Sequence, residues 1–197
     1  MFSENRSELA IPVVGFLLLG LATLFVAISV FSAKLDNNLG QIDTMAFWWI
    51  GILLALVAFF ALSKAYIIEG VLFGIFAVFL VVYSDTLTGN MNQLVVLGIA
   101  LGVVAAILAF MSYRVGDLMV LIMALLTILT FIFVLFIKNV DSFAFIAAGV
   151  GFLLVSAVAF ISAVLEWLFV QDVAMDLADY MYGDDDEECG CGCEAEE

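Results

Sequence analysis

Glu69 and Glu166 are carboxylates embedded in otherwise apolar sequence, and they are where chemistry is first to be sought. An ionised acid deep in a bilayer is costly enough to mark a function by default; at headgroup level the same group can anchor a helix or join a structural ion pair. Glu69 falls in the first turn of its apolar run and Glu166 one turn before the end of its own. That placement leaves two readings: an interfacial or ion-paired role, with Arg114 and Lys64 on the same side as partners, or proton coupling and pathway lining.

Hydroxyls form the second group. Thr23 and Ser29, Thr127 and Thr130, and Ser156 and Ser162 lie inside apolar runs. Such groups often bond the carbonyl one turn back, yet a few of them suffice to line a narrow path for a small solute. A third group is Cys189, Cys191 and Cys193, alternating with glycine among acids near the C-terminus. Thiolates at this spacing are a possible weak site for a soft metal, but the spacing is not the CxxC of structural zinc sites. The bland alternative is a solvated acidic tail with incidental thiols. Histidine is absent, which removes the usual general base and the commonest metal ligand. The chain reads as a non-enzyme with no cofactor.

The elements that must position these residues are membrane helices. With 66% hydrophobic and 13% charged residues in 197, the chain has too little polar surface for a water-soluble globule. The expected fold is an all-α integral membrane protein: six transmembrane helices in a bundle, followed by a disordered acidic tail. After a lead over 1–10, spans are expected at about 11–33, 44–62, 66–83, 93–113, 118–137 and 143–170, making one domain over 11–171. Residues 172–197 form the tail, which carries 11 of the 20 acids. Pro12 suits a first helical turn. Phe47, Trp48 and Trp49 open the second span, as expected of rings at a bilayer interface. Gly70 with Gly74, and Gly98 with Gly102, are small-xxx-small pairs. They fit close helix packing within or between protomers, or pore lining.

Six spans put both termini on one side. Arg6, Lys64 and Arg114 on that side against Lys34 and Lys138 on the other favour cytoplasmic termini in the cell membrane. The five bases are scattered, so nucleic acid is excluded as a partner and membrane lipid is the expected surroundings.

The layout resembles the acetate uptake transporter family, the YaaH-type succinate–acetate permeases. Three stretches carry the resemblance: IPVVGFLLLG early in the first span, AYIIEGVLFG at the second-to-third link, and KNVDSFAFIAAGVGFLLVSAVAFISAVLEW through the sixth. The family's Asn-Pro-Ala-Pro-Leu-Gly motif is replaced here by ELAIPVVG, which keeps one proline and a nearby glycine. The resemblance implies a six-helix protomer, assembled as a homo-hexamer, that moves acetate and similar small monocarboxylates. It also implies apolar constrictions from the first, third and fifth helices, for which the nearest residues are Phe16, Val81 or Tyr83, and Leu126. The function expected is therefore a monocarboxylate transporter or channel, passive or proton-coupled. The alternatives are a non-transporting structural subunit whose Cys-bearing tail docks a partner or metal, and a urea- or amide-type small-solute channel.

Overall fold

The computed structural model describes residues 2–35, 44–86, 91–136 and 143–182, and these are all helical apart from two short turns and a helix end. The helices are α1 (Phe2–Leu35), α2 (Thr44–Ser63), α3 (Ile67–Thr86), α4 (Met91–Val115), α5 (Leu118–Leu135) and α6 (Phe143–Tyr182). Each expected span lies within one helix or overlaps it closely. α1, α2, α4, α5 and α6 each contain a segment long and apolar enough to cross a membrane, while the apolar part of α3, Ile67–Tyr83, is shorter.

Two ends differ from expectation. α1 starts at Phe2, so Pro12 sits inside a helix rather than at its first turn. Proline has no N–H and cannot bond the carbonyl four residues back, a loss best tolerated near a hydrated helix end. At the other terminus α6 runs on to Tyr182, well past Gln171, so the first part of the segment assigned to the tail has helical backbone. Cys189, Cys191 and Cys193 lie outside the described residues, as do Asp36, Gly40, Lys138 and Asp141.

Consecutive helices pack on one another and α6 packs on α1, which closes a ring; α3 reaches inward to both α1 and α5. Contacts along the seams fix the directions. Gly149 lies against Val30 and Gly20 against Phe160, so α1 and α6 are antiparallel. Phe16 of α1 meets Phe73 of α3, and further along both helices Ser29 meets Tyr83, so those two are parallel. The start of α1, the end of α6, the α2–α3 turn and the α4–α5 turn therefore share one end of the bundle.

Both of those turns use the same device. Tyr66 N–H bonds Ala61 O at 3.0 Å and Ala65 N–H bonds Leu62 O at 3.4 Å, with Ala65 left-handed at φ 67°. Asp117 N–H and Gly116 N–H both bond Ser112 O, at 3.1 and 2.9 Å, with Gly116 at φ 84°. Each arrangement satisfies carbonyls that a helix C-terminus would otherwise leave orphaned. Asp117 then caps α5, its carboxylate accepting from Val120 N–H at 3.1 Å.

Apolar surface faces outward over much of α2 and α4, including Trp49, Phe59, Phe60, Val96, Val103 and Phe110. A water-soluble fold would not leave so much, whereas lipid covers it without cost.

Candidate functional site

The inward faces of the ring are filled by aromatic rings. On α3, Phe73, Phe76, Phe79 and Tyr83 recur at helical spacing, and all are buried. Phe73 takes the edge of Phe16 from α1 at 5.2 Å between centroids. Phe79 is the hub: Phe152 of α6 lies at 5.2 Å, Phe131 of α5 at 5.4 Å and Tyr83 at 5.6 Å. Phe76 also reaches Phe131, at 6.4 Å. Tyr83 packs edge-on against Phe47 of α2, and its hydroxyl donates to Ser29 Oγ at 3.4 Å.

Of the expected constriction residues, Phe16 and Tyr83 belong to this aromatic layer but at opposite ends of it. Val81 faces α2, where a Cβ on Gly51 would approach its Cγ2 to 3.0 Å. Leu126 is half-buried against the same core. Phe16 is thus coupled to Phe73, with Tyr83 two to three turns further along α3.

The hydroxyls divide by what they bond. Thr23 Oγ1 donates to Leu19 O at 2.8 Å and approaches Gly20 O at 3.2 Å; Thr127 bonds Met123 O at 2.7 Å and Thr130 bonds Leu126 O at 2.8 Å. These are local back-bonds to the preceding turn. Ser156 instead crosses to α1 and donates to Gly20 O at 2.8 Å. Ser162 and Ser112 are buried with no hydrogen-bond partner for their hydroxyls.

Glycines let the elements come this close. A Cβ on Gly15 would overlap the Phe73 ring, and one on Gly151 would overlap Thr130. Among the small-xxx-small residues, Gly70 packs against Leu62 of α2, and Gly98 and Gly102 face Val134 and Phe131 of α5, all within the chain. A Cβ on Gly74 would meet nothing.

The carboxylates gather at the end that holds the termini. Glu69 and Glu166 are each half-buried. The charge of Asp117 acts on both, and Glu69 acts on Glu166. Arg114 lies at the same end with its guanidinium 5.2 Å from the centre of the Phe110 ring, a cation–π contact on its own helix. Lys64 is exposed at the α2–α3 turn, its backbone N–H bonded to Phe60 O at 3.1 Å. Asp117, at the α4–α5 turn, lies at the same end of the bundle as Glu69 and Glu166. Among the described residues, no group of three potential metal ligands is close enough to chelate an ion.

Sequence reasoning also passed over Ser112 and the α3 aromatic series. The phenylalanines at i, i+3 and i+6, followed by Tyr83, were a readable signal for an inward stripe. Nothing in the sequence distinguished Gly15, Gly20, Gly149 and Gly151 as the points of closest approach. Compared with known proteins, the chain matches no family model, no curated protein and no solved structure.

Proposed function

We propose that this chain is a membrane transporter or channel for acetate and similar small monocarboxylates, a carrier rather than an enzyme, operating as a homo-oligomer. One observation carries the reading: of the three separated stretches that resemble the acetate uptake family, the first packs on both of the others. Gly15, in the first, lies under Phe73 of the second; Gly20, also in the first, lies under Phe160 of the third and accepts the Ser156 hydrogen bond. Apolar helices resemble each other cheaply, but convergence of these stretches on one contact network is a stricter condition.

The aromatic layer suits such a substrate in its neutral form. A carboxylate entering rings such as Phe16, Phe73 and Phe79 would lose hydration and meet apolar ring carbon in its place. The protonated acid carries its own proton, presents a methyl group to the rings and needs no histidine. The acids at the terminal end disfavour the anion further, by like-charge repulsion.

The test is uptake of labelled acetate into liposomes containing the purified full-length protein and a form ending at Tyr182, where α6 ends. Saturable uptake in both, faster at lower external pH, is the expected result. Flux that ignores pH and accepts urea instead would establish the amide-type channel. Intact protein without flux would establish the structural subunit.

A further inference from the structure

Arg114 stands at the edge of the membrane with its charge turned back toward the lipid. The apolar segments Val95–Val115 and Leu118–Leu135 are joined by Gly116 and Asp117 alone. At about 1.5 Å per helical residue, so short a turn holds Arg114, Asp117 and both helix ends within the headgroup layer. Helical side chains lean toward the N-terminus, which on α4 is the direction of the bilayer centre. Arg114 follows that lean, its guanidinium lying 5.2 Å from the centre of the Phe110 ring one turn deeper. A long basic side chain at a span end ordinarily snorkels outward to water. This one points inward.

The protein around it supplies no anion. Arg114 is exposed, and so are Phe110, Tyr113, Val115 and Leu118 near it in the chain, which makes this a surface that lipid covers. Among the described residues no carboxylate lies within ion-pairing distance of the guanidinium, whose contact is the Phe110 ring. Its planar fork of N–H donors is shaped for a phosphate. Asp117 sits at the tip of the turn, further toward water than the guanidinium. Its Oδ1 accepts from Val120 N–H at 3.1 Å and the residue is half-buried, which leaves Oδ2 to accept from a second donor.

We propose that the α4–α5 turn binds the headgroup of a phospholipid carrying a primary amine, of the phosphatidylethanolamine type, with its phosphate on Arg114 and its ammonium on Asp117. The order along the membrane normal agrees. In such a lipid the phosphate lies next to the glycerol and the amine on the water side, as the guanidinium and Asp117 do here. The charge agrees as well: acids outnumber bases at this end of the bundle, so a purely anionic headgroup is repelled, while a zwitterion brings its own cation. A choline headgroup keeps the charge but has no N–H to give Asp117. The site lies on the lipid-facing surface and does not depend on whether the bundle conducts acetate.

The test titrates the full-length protein in dodecyl maltoside with dioleoyl phosphatidylethanolamine, its N,N-dimethyl derivative, phosphatidylcholine or phosphatidylglycerol, and counts bound lipid by native mass spectrometry. Affinity should fall about tenfold from ethanolamine to choline, as loss of a charge-assisted hydrogen bond would, with the dimethyl lipid, which keeps one N–H, between them. Arg114→Gln should weaken the ethanolamine and choline lipids alike, by about tenfold. Asp117→Asn keeps a capping side chain on α5 and should weaken the ethanolamine lipid alone, erasing its preference over choline. Lys64→Gln, which removes the base at the other tight turn, should leave the preference and the affinity near wild type. Equal binding of the ethanolamine and choline lipids by the wild type overturns the site, as does tighter binding of phosphatidylglycerol. A Lys64→Gln loss as large as that of Arg114→Gln also overturns it, because the attraction would then belong to bases at the surface in general. The lipid series needs only the wild type, so it decides even where a variant does not fold.

Discussion

Phe79→Ala tests whether packing, rather than exclusion of water, holds this bundle together. In a soluble core, Phe→Ala costs about 3–5 kcal/mol through the lost transfer energy and the cavity left behind. Here the helices remain in lipid when they separate, so the transfer part largely disappears and packing remains. Phe79 touches rings from α5 and α6 and one further along α3, at centroid distances of 5.2–5.6 Å. Each such pair adds about 0.5–1.5 kcal/mol beyond area burial, so their combined loss with the cavity predicts a destabilisation of about 2–4 kcal/mol. Phe59→Ala is the control, because Phe59 is 67% exposed on α2 and meets lipid in either state. It should cost under about 0.5 kcal/mol. The assay is reversible unfolding of the purified protein in mixed micelles of increasing dodecyl sulfate fraction, read by circular dichroism. Phe79→Leu should recover about half of the loss. A Phe79→Ala cost below about 1 kcal/mol, or one equal to that of Phe59→Ala, refutes the aromatic layer as the main tie between α3, α5 and α6.

The same assay separates the hydroxyls and the turns. Ser156→Ala removes a bond between α6 and α1 and should cost about 0.6–1.7 kcal/mol, while Thr127→Val, which removes a back-bond within α5, should stay within about 0.5 kcal/mol. Ala65→Gly should stabilise by about 1 kcal/mol, because Ala65 holds a left-handed conformation in which only glycine is unstrained. Gly116→Ala should cost a similar amount from φ alone, since its added Cβ would meet nothing. If both changes move stability in the same direction, the shared turn device is wrong.

The elements were legible because their ends were. Lys64, Gly116 with Asp117, and the Trp48–Trp49 pair interrupt or bracket the apolar runs, and the helices begin and end close to them. The outer termini were less legible. Polar residues such as Glu4, Arg6 and Asp176 look like solvated lead or tail, and only continuity with a long neighbouring helix carries α1 back to Phe2 and α6 on to Tyr182. Helix propensity alone does not settle such an extension, because a short exposed segment is marginal without a helix to propagate from.

The interior was harder to read for a reason specific to membranes. In water, burial separates apolar from polar residues and the inward face shows as a periodic stripe. In lipid both faces are apolar, so Phe59 and Phe79 look alike in sequence although one is exposed and the other buried. What distinguishes the faces is size and the few polar atoms. Gly15 is required where the Phe73 ring crosses α1 and Gly151 where Thr130 lies against α6, and Gly20 is favoured where a Cβ would approach the Phe160 ring to 3.0 Å. Each requirement is set by a partner distant in sequence, so no local pattern announces it. The carboxylates follow the same logic. Glu69 and Glu166 were visible as isolated acids near span ends, but that Asp117 shares their end of the bundle follows only from the α4–α5 turn, where its N–H is held by the Ser112 carbonyl. A charge pairing read from which side of the membrane a residue occupies leaves open which face of the helix it departs from; Arg114 is exposed and lies over the Phe110 ring of its own helix.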